Sequence, residues 1–144
     1  MNLSAMAPPP LPIRQQTFLA FDFGLRRTGV ASGNVLTRTA TPQSTVVLAV
    51  NAKAEARLSA VAQRIAAWQP DALVVGVPFY PDGAPHENTM QAQKFARQLR
   101  ARFGLEVFEV DERYSTTEAL AEGAKDADAA SACIILEQFL RSLP

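Results

Sequence analysis

Four apolar residues, Phe18-Leu19-Ala20-Phe21, run straight into a carboxylate, Asp22. A glycine-bearing turn, Phe23-Gly24-Leu25-Arg26-Arg27-Thr28, then leads to a second run, Gly29-Val30-Ala31-Ser32-Gly33. A short continuous apolar run bounded by turn signals reads as a strand buried on both faces. The chain must therefore build a sheet covered on each side. An acid at the end of such a strand is costly unless something pairs with it. Asp22 is thus expected on a rigid sheet beside a loop where backbone groups and cations can approach a ligand. A metal or phosphate site begins in this way.

The remaining elements follow from periodicity. The first strand is predicted over Thr17 to Phe23 and the second over Gly29 to Ser32. A third lies between Thr37 and Leu48, and Pro42 assigns it to an edge because proline cannot donate to a ladder. A helix runs from Ala52 to Trp68, with Leu58, Val61, Ile65 and Trp68 at helical spacing and Pro70 as its stop. Ala72 to Val77 is a second fully buried strand, and Pro78 to Asn88 reads as a loop. The next helix, Thr89 to Arg102, turns Ala92, Phe95, Leu99 and Phe103 to one side before the cap residue Gly104. The strand Leu105 to Glu112 follows. Ser115 and Glu118 form a capping box that opens a short helix ending near Gly123, and the last helix spans Ala127 to Leu140. Hairpin strands first and helix-linked strands later predict an α/β fold. Its mixed five-stranded sheet has three antiparallel strands and then two parallel ones, flanked by helices.

At 144 residues, residues 17–144 suffice for a single domain with a proper core. Residues 1–16 are expected to be a disordered tail, since Pro8-Pro9-Pro10-Leu11-Pro12 and its flanks lack both a helix pattern and a secretion signal. No apolar run approaches a membrane span, so no membrane partner and a cytoplasmic location are expected. One histidine and one cysteine exclude a disulfide framework and argue against zinc. Cys133 reads as a small buried hydrophobe and His86 as an exposed loop residue. Any metal would need carboxylate ligands and hence be a hard ion, Mg²⁺ or Mn²⁺. The 14 basic and 14 acidic residues cancel, so a nucleic-acid role would depend on a local basic patch.

Parallel strands put ligand sites at their carboxyl ends, where both Asp22 and the Asp111-Glu112 pair fall. Alternation puts Glu112 on the face of Phe108 and Val110, and Asp111 on that of Glu109. A carboxylate on the apolar, helix-covered face needs a reason, which favours Glu112 as a ligand. With one strand between them, the first and last strands lie about 9–10 Å apart. The longer Glu side chain helps to span that gap to ions roughly 4 Å apart. At the last helix, Asp126 suits an N-cap and Asp128 suits the first turn, where the dipole also favours an acid. A structural and a functional reading remain open for both. Arg27 and Arg113 each follow an acid closely and read as its ion-pair partner, as a solvated surface charge or as a grip on phosphate.

The ordered set of segments resembles the YqgF family, RuvX-type Holliday junction resolvases also described as pre-16S rRNA nucleases. The resemblance rests on Asp22-Phe23-Gly24 with Arg27, Gly29, Val30 and Ala31, then Val75-Gly76-Val77-Pro78 with Asp82-Gly83, and Lys94-Phe95-Ala96. It continues through Asp111-Glu112-Arg113-Tyr114-Ser115-Thr116 with Glu118-Ala119, and ends at Asp128 with Ser131-Ala132 and Ile134-Ile135-Leu136. It implies an RNase H-like fold and metal-dependent hydrolysis of nucleic-acid phosphodiesters. By the same resemblance, Asp22, Glu112 and Asp128 would be the catalytic acids and the ligands of Mg²⁺ or Mn²⁺. Arg27 and Arg113 would be the substrate-binding residues. Family members carry a longer glycine- and basic-rich segment before the final aspartate, where this chain has only Glu122 to Ala127.

The expected partner is nucleic acid, structured RNA ahead of branched DNA, acted on by a monomer or homodimer. A resolvase would need a two-fold dimer with two sites on paired strands. The competing classes are a non-catalytic nucleic-acid-binding module and an actin-like phosphate-binding ATPase. The latter normally requires a second related domain.

Overall fold

Alternation along β1 (Thr17–Asp22) sorts the core into two layers. Leu19 and Phe21 enter one cluster with Val30, Leu58, Val61, Leu73, Val75, Phe95 and Leu99. Phe18 and Ala20 enter the other with Ala31, Val74, Ile135, Leu136 and Leu140. The computed structural model describes residues 16–113 and 126–144.

The other strands are β2 (Arg27–Asn34), β3 (Ala40–Val47), β4 (Ala72–Phe79) and β5 (Glu106–Arg113). The helices are α1 (Ala54–Trp68), α2 (Thr89–Phe103) and α3 (Ala127–Ser142). The sheet order is β3-β2-β1-β4-β5. β1–β2 and β2–β3 are antiparallel, whereas β1–β4 and β4–β5 are parallel. This is the expected mixed sheet, with β3 and its Pro42 on an edge and one strand between β1 and β5. Leu58 and Val61 of α1 and Phe95 and Leu99 of α2 cover one face, and among the described helices α3 covers the other. Phe21 meets Phe95 edge-on, with ring centroids 5.9 Å apart. That geometry adds about 0.5–1.5 kcal/mol to the burial of both rings. Among the described residues, no helix is long and apolar enough to cross a membrane.

Several boundaries differ from the sequence reading. β1 stops at Asp22 because Phe23 leaves the ladder, and its ring packs on Phe95 under the Arg57 guanidinium. β2 is longer at both ends: pairing with β1 carries it on to Asn34, and pairing of Arg27 and Thr28 with Val47 and Val46 of β3 starts it at Arg27. β4 continues through Pro78 to Phe79, which pair with Glu112 and Arg113. β1 has ended by then, so Pro78 lies where β4 has a single neighbour and the missing N–H is tolerated. Trp68 shares the helical spacing of Leu58 and Val61 yet is half exposed. Cys133 is only partly buried, with its thiol pushed up to about 11 by burial and by Glu137. Residues 1–15 and the Ser115/Glu118 capping box lie outside the described residues. Gln16 donates its N–H to Asp71 at 2.8 Å.

α3 approaches the sheet closely because the residues beneath it are small. On β2, Gly29, Ala31 and Gly33 share its face; on β4, Gly76 does. A Cβ at Gly76 would strike the Ile135 side chain, and one at Gly29 would fall on the backbone of Asp128. Glycine at these positions is a matter of clearance rather than of backbone angle.

Candidate active site

The closeness of α3 builds the site. Asp22 is paired with Gly29 on one side and Gly76 on the other. Because Gly29 carries no side chain, the first turn of α3 rests on it, and Asp128 is delivered beside Asp22. Opposite Gly29 the β2–β3 register shifts between Thr28 and Val30, so that Ser44 and Thr45 together face one residue. Such a bulge re-aims a side chain. Here Thr45 Oγ1 donates to Asp126 Oδ2 at 2.8 Å. Asp126 Oδ1 in turn accepts the N–H groups of Asp128 and Ala129 at 3.1 and 3.2 Å. Asp126 is therefore the N-cap, fully engaged, with its carboxyl held below the usual range chiefly by Thr45. Asp128 is left for other work.

Glu112 lies on the α3 side of β5, as alternation predicts, and is 5% exposed. It stands level with Pro78, two residues beyond the level of Asp22 and Gly76. Gln138 of α3, with its amide nitrogen turned to the acid, donates to both Glu112 oxygens, one at 2.9 Å. Asp111 points the other way, exposed, 3.6 Å from Arg113.

Asp22 keeps a window to solvent but is packed among protein atoms. Its pKa is raised from 3.8 to about 7, first by burial, then by the charges of Asp128 and Glu112. The Ser131 hydroxyl donates to it and opposes that rise. Asp128 and Glu112 thus both bear on Asp22 across the end of the sheet.

Arg27 departs from the sequence reading. Its ion-pair partner is not the preceding acid but Asp128, with Nε to Oδ2 at 2.6 Å, and Nη2 lies 3.9 Å from Asp126. The pair is half exposed and contributes little to stability. Arg113 bends over the loop after β4, donating to the Tyr80 carbonyl at 3.4 Å. His86 in that loop is half-buried rather than exposed. Its ring lies 4.9 Å from Tyr80, and Nδ1 accepts the Asn88 N–H. Ser131 and Gln138 were not singled out as site residues. The i+3 spacing of Ser131 from Asp128 was the available signal; nothing local marks Gln138.

The donor set consists of hard oxygens, and Asp22 carries more negative neighbours than its surroundings offset, which suits a hard divalent cation. Among the described residues, no group of three acidic, histidine or cysteine side chains is positioned to hold a metal as the side chains stand. Asp128 is turned to Arg27 and Glu112 to Gln138. The chemistry of the donors fits such an ion, and one Asp128 oxygen, Oδ2, is engaged by Arg27.

The two aspartates of α3 separate by experiment. Asp126→Ala is expected to lower the unfolding free energy by about 1–2 kcal/mol through loss of the cap, measured by urea titration at neutral pH. A depressed carboxyl stabilises the fold above its unfolded value of 3.8 and loses that contribution as pH falls through the folded one. The difference between wild type and variant should therefore shrink below about pH 4.

Comparison with known proteins fits this geometry. A family model described as "RuvX: Holliday junction resolvase" matches residues 16–142. A protein of Polaromonas sp. (strain JS666) named "Putative pre-16S rRNA nuclease" is 75% identical over 99% of this chain and 100% of its own length. One of the same name from Albidiferax ferrireducens is 66% identical over 89% of this chain and 80% of its own. Among solved structures, T. thermophilus RuvC in complex with Holliday junction substrate aligns with a TM-score of 0.57 at 16% identity, covering 86% of this chain and 93% of that one. Fowlpox virus resolvase with its junction DNA gives 0.57 at 10% identity, covering 88% and 97%. At such identities the likeness speaks for the fold, which is RNase H-like. With the family model spanning the sheet and the described helices, the chain belongs to the RuvX family of Holliday junction resolvases.

Proposed function

We propose that the protein is a metal-dependent nuclease that hydrolyses phosphodiester bonds of structured RNA in the cytoplasm, in maturation of the 5′ end of pre-16S rRNA. The observation that carries this reading is Asp22, raised to about 7 at the end of the central strand by burial and by Asp128 and Glu112. Acids driven against one another at a sheet end are poorly explained by stability and well explained by cation binding. The names of relatives at 75% and 66% identity support RNA as the substrate.

Asp22, Glu112 and Asp128 would hold Mg²⁺ or Mn²⁺. When bound, the ions would supply an activated water and charge stabilisation at the leaving oxygen. Ser131 fixes the Asp22 carboxylate by its hydrogen bond, and Gln138 fixes Glu112. Arg27, released from Asp128, and Arg113 at the rim are suited to gripping phosphate oxygens. Rigid elements carry all three acids, so that side-chain rotation alone would be needed to bring their oxygens to an ion.

The family description and the junction-bound fold neighbours favour a second reading, resolution of branched DNA. It demands a two-fold dimer, whereas RNA processing does not. The test is cleavage of a labelled structured RNA and a four-way DNA junction with Mg²⁺, Mn²⁺ or EDTA, beside Asp128→Asn, with the mass in solution recorded. RNA cutting is expected with either ion and is absent in EDTA and in the variant. Cutting of the junction alone by a dimer would replace the first reading with the second. Binding without cutting of either would make the chain a binding module.

A further inference from the structure

The acids occupy one end of β1. At its other end a groove of about 400 Å³ opens, lined by residues that include Thr17, Ser32, Thr41, Gln43, Trp68 and Pro70. That volume is in the range of small-ligand sites. Thr17, Ser32, Thr41 and Gln43 project from the α1/α2 face of the sheet, beyond the point where α1 stops covering it. Gln43 Nε2 donates to Ser32 Oγ at 2.9 Å, so the floor carries a polarised amide–hydroxyl pair. The wall is Trp68, the last residue of α1, 49% exposed although its helical spacing belongs to the core. Among the described residues, none of those lining the groove is charged. Arg64, one helical turn before Trp68, donates to the carbonyl of Ser44, the residue after Gln43, at 3.2 Å.

A half-exposed indole beside neutral donors and acceptors, with a guanidinium one turn away, suits a flat, neutral, hydrogen-bonding ring that carries a phosphate. Bases stack on aromatic side chains, unpaired ones present their edges to polar groups, and a cation takes the backbone. An aliphatic ligand would leave the floor unsatisfied, and an acidic peptide would find one nearby cation, Arg64, among the described residues. We propose that this groove binds an unpaired nucleotide of a single-stranded RNA segment, its base stacked on Trp68, its edge on Gln43 and Ser32, and its phosphate on Arg64. The inference rests on the reading of the protein as an RNA-acting enzyme. It assigns that enzyme a second contact on the sheet face opposite Asp22, running from the level of Thr17 to that of Phe21, where Gln43 lies beside Val30, so that an unpaired flank is held across the sheet from the bond that is cut.

Trp68 is the sole tryptophan of the chain, so its fluorescence reports the groove alone. Full-length Asp22→Asn protein is titrated with a short single-stranded oligoadenylate, and with AMP in parallel. Saturable quenching by the oligomer is expected, weakened about tenfold by Gln43→Ala and by Arg64→Gln. In the wild type, Trp68→Ala should raise the KM for a structured RNA bearing a single-stranded flank by about tenfold, and not for the same RNA without the flank. Absence of quenching, or quenching indifferent to Gln43→Ala and Arg64→Gln, would overturn the proposal. AMP binding as tightly as the oligomer would also overturn it, because the site would then be one for free nucleotide. Failure of the nuclease reading is distinguishable: no nucleic acid would be cut, while the fluorescence titration would stand on its own result.

Discussion

Asp22→Asn is expected to abolish metal-dependent cleavage and at the same time to make the protein more stable at pH 8. The first effect follows from removing a central ligand oxygen, and the second from the sign of the pKa shift. The folded value is raised to about 7 against 3.8, so the fold retains a proton that the unfolded chain has released. Stability linked to Asp22 is fully present below about pH 4, declines as pH rises, and is lost completely above about pH 7. The whole interval corresponds to about 4 kcal/mol, and the solvent window on Asp22 reduces the expected gain to roughly 2 kcal/mol. Thermal melts should therefore coincide for wild type and variant near pH 4 and separate by several degrees at pH 8. Mg²⁺ adds a second readout independent of turnover. It should raise the Tm of the wild type through binding linkage and leave that of Asp22→Asn nearly unmoved. Equal stability of the two proteins at pH 8, with or without Mg²⁺, would mean that Asp22 bears no uncompensated charge, and the proposed metal site would go with it.

The features legible in the sequence are those set by local rules. A buried strand ending in an acid, the alternation that turns Glu112 inward, the edge position of Pro42 and the cap at Asp126 each depend on a few neighbouring residues. What was not legible depends on residues far apart in the chain. Arg27 reaches Asp128 across 101 positions, and no local pattern could prefer that partner over Asp22. Thr45 supports Asp126 only because the sheet register slips opposite Gly29. Gln138 faces Glu112 only because α3 crosses to β5. β4 outran its predicted end because pairing with β5 overrode the turn signal of Pro78. The candidate acids could thus be named from sequence, whereas the groups that orient them could not.

Gly29→Ala should be as damaging to cleavage as loss of an acid, although Gly29 bears no functional group. Its Cβ would coincide with the Asp128 carbonyl and lie 3.2 Å from the Ala129 nitrogen. Both obstacles are backbone, so the conflict cannot be relieved by a rotamer change; the first turn of α3 must lift from β2. That movement carries Asp128 away from Asp22 and strains the Thr45–Asp126 contact. Overpacking of this kind costs roughly 1–3 kcal/mol, and a displacement of about 1 Å at a catalytic group can cost 100-fold in rate. The comparison that isolates the cause is Gly33→Ala, on the same strand and under the same helix. There the added methyl would meet the Leu136 side chain at 2.9 Å and the Thr39 carbonyl at 2.7 Å, four residues away from the acids. Both variants should melt earlier than wild type. Assayed at a temperature where both remain folded, Gly33→Ala should keep most of its kcat and Gly29→Ala should lose at least about 100-fold. Equal kcat in the two would mean that the seating of α3 on Gly29 serves packing alone, and that Asp128 reaches its working position by some other constraint.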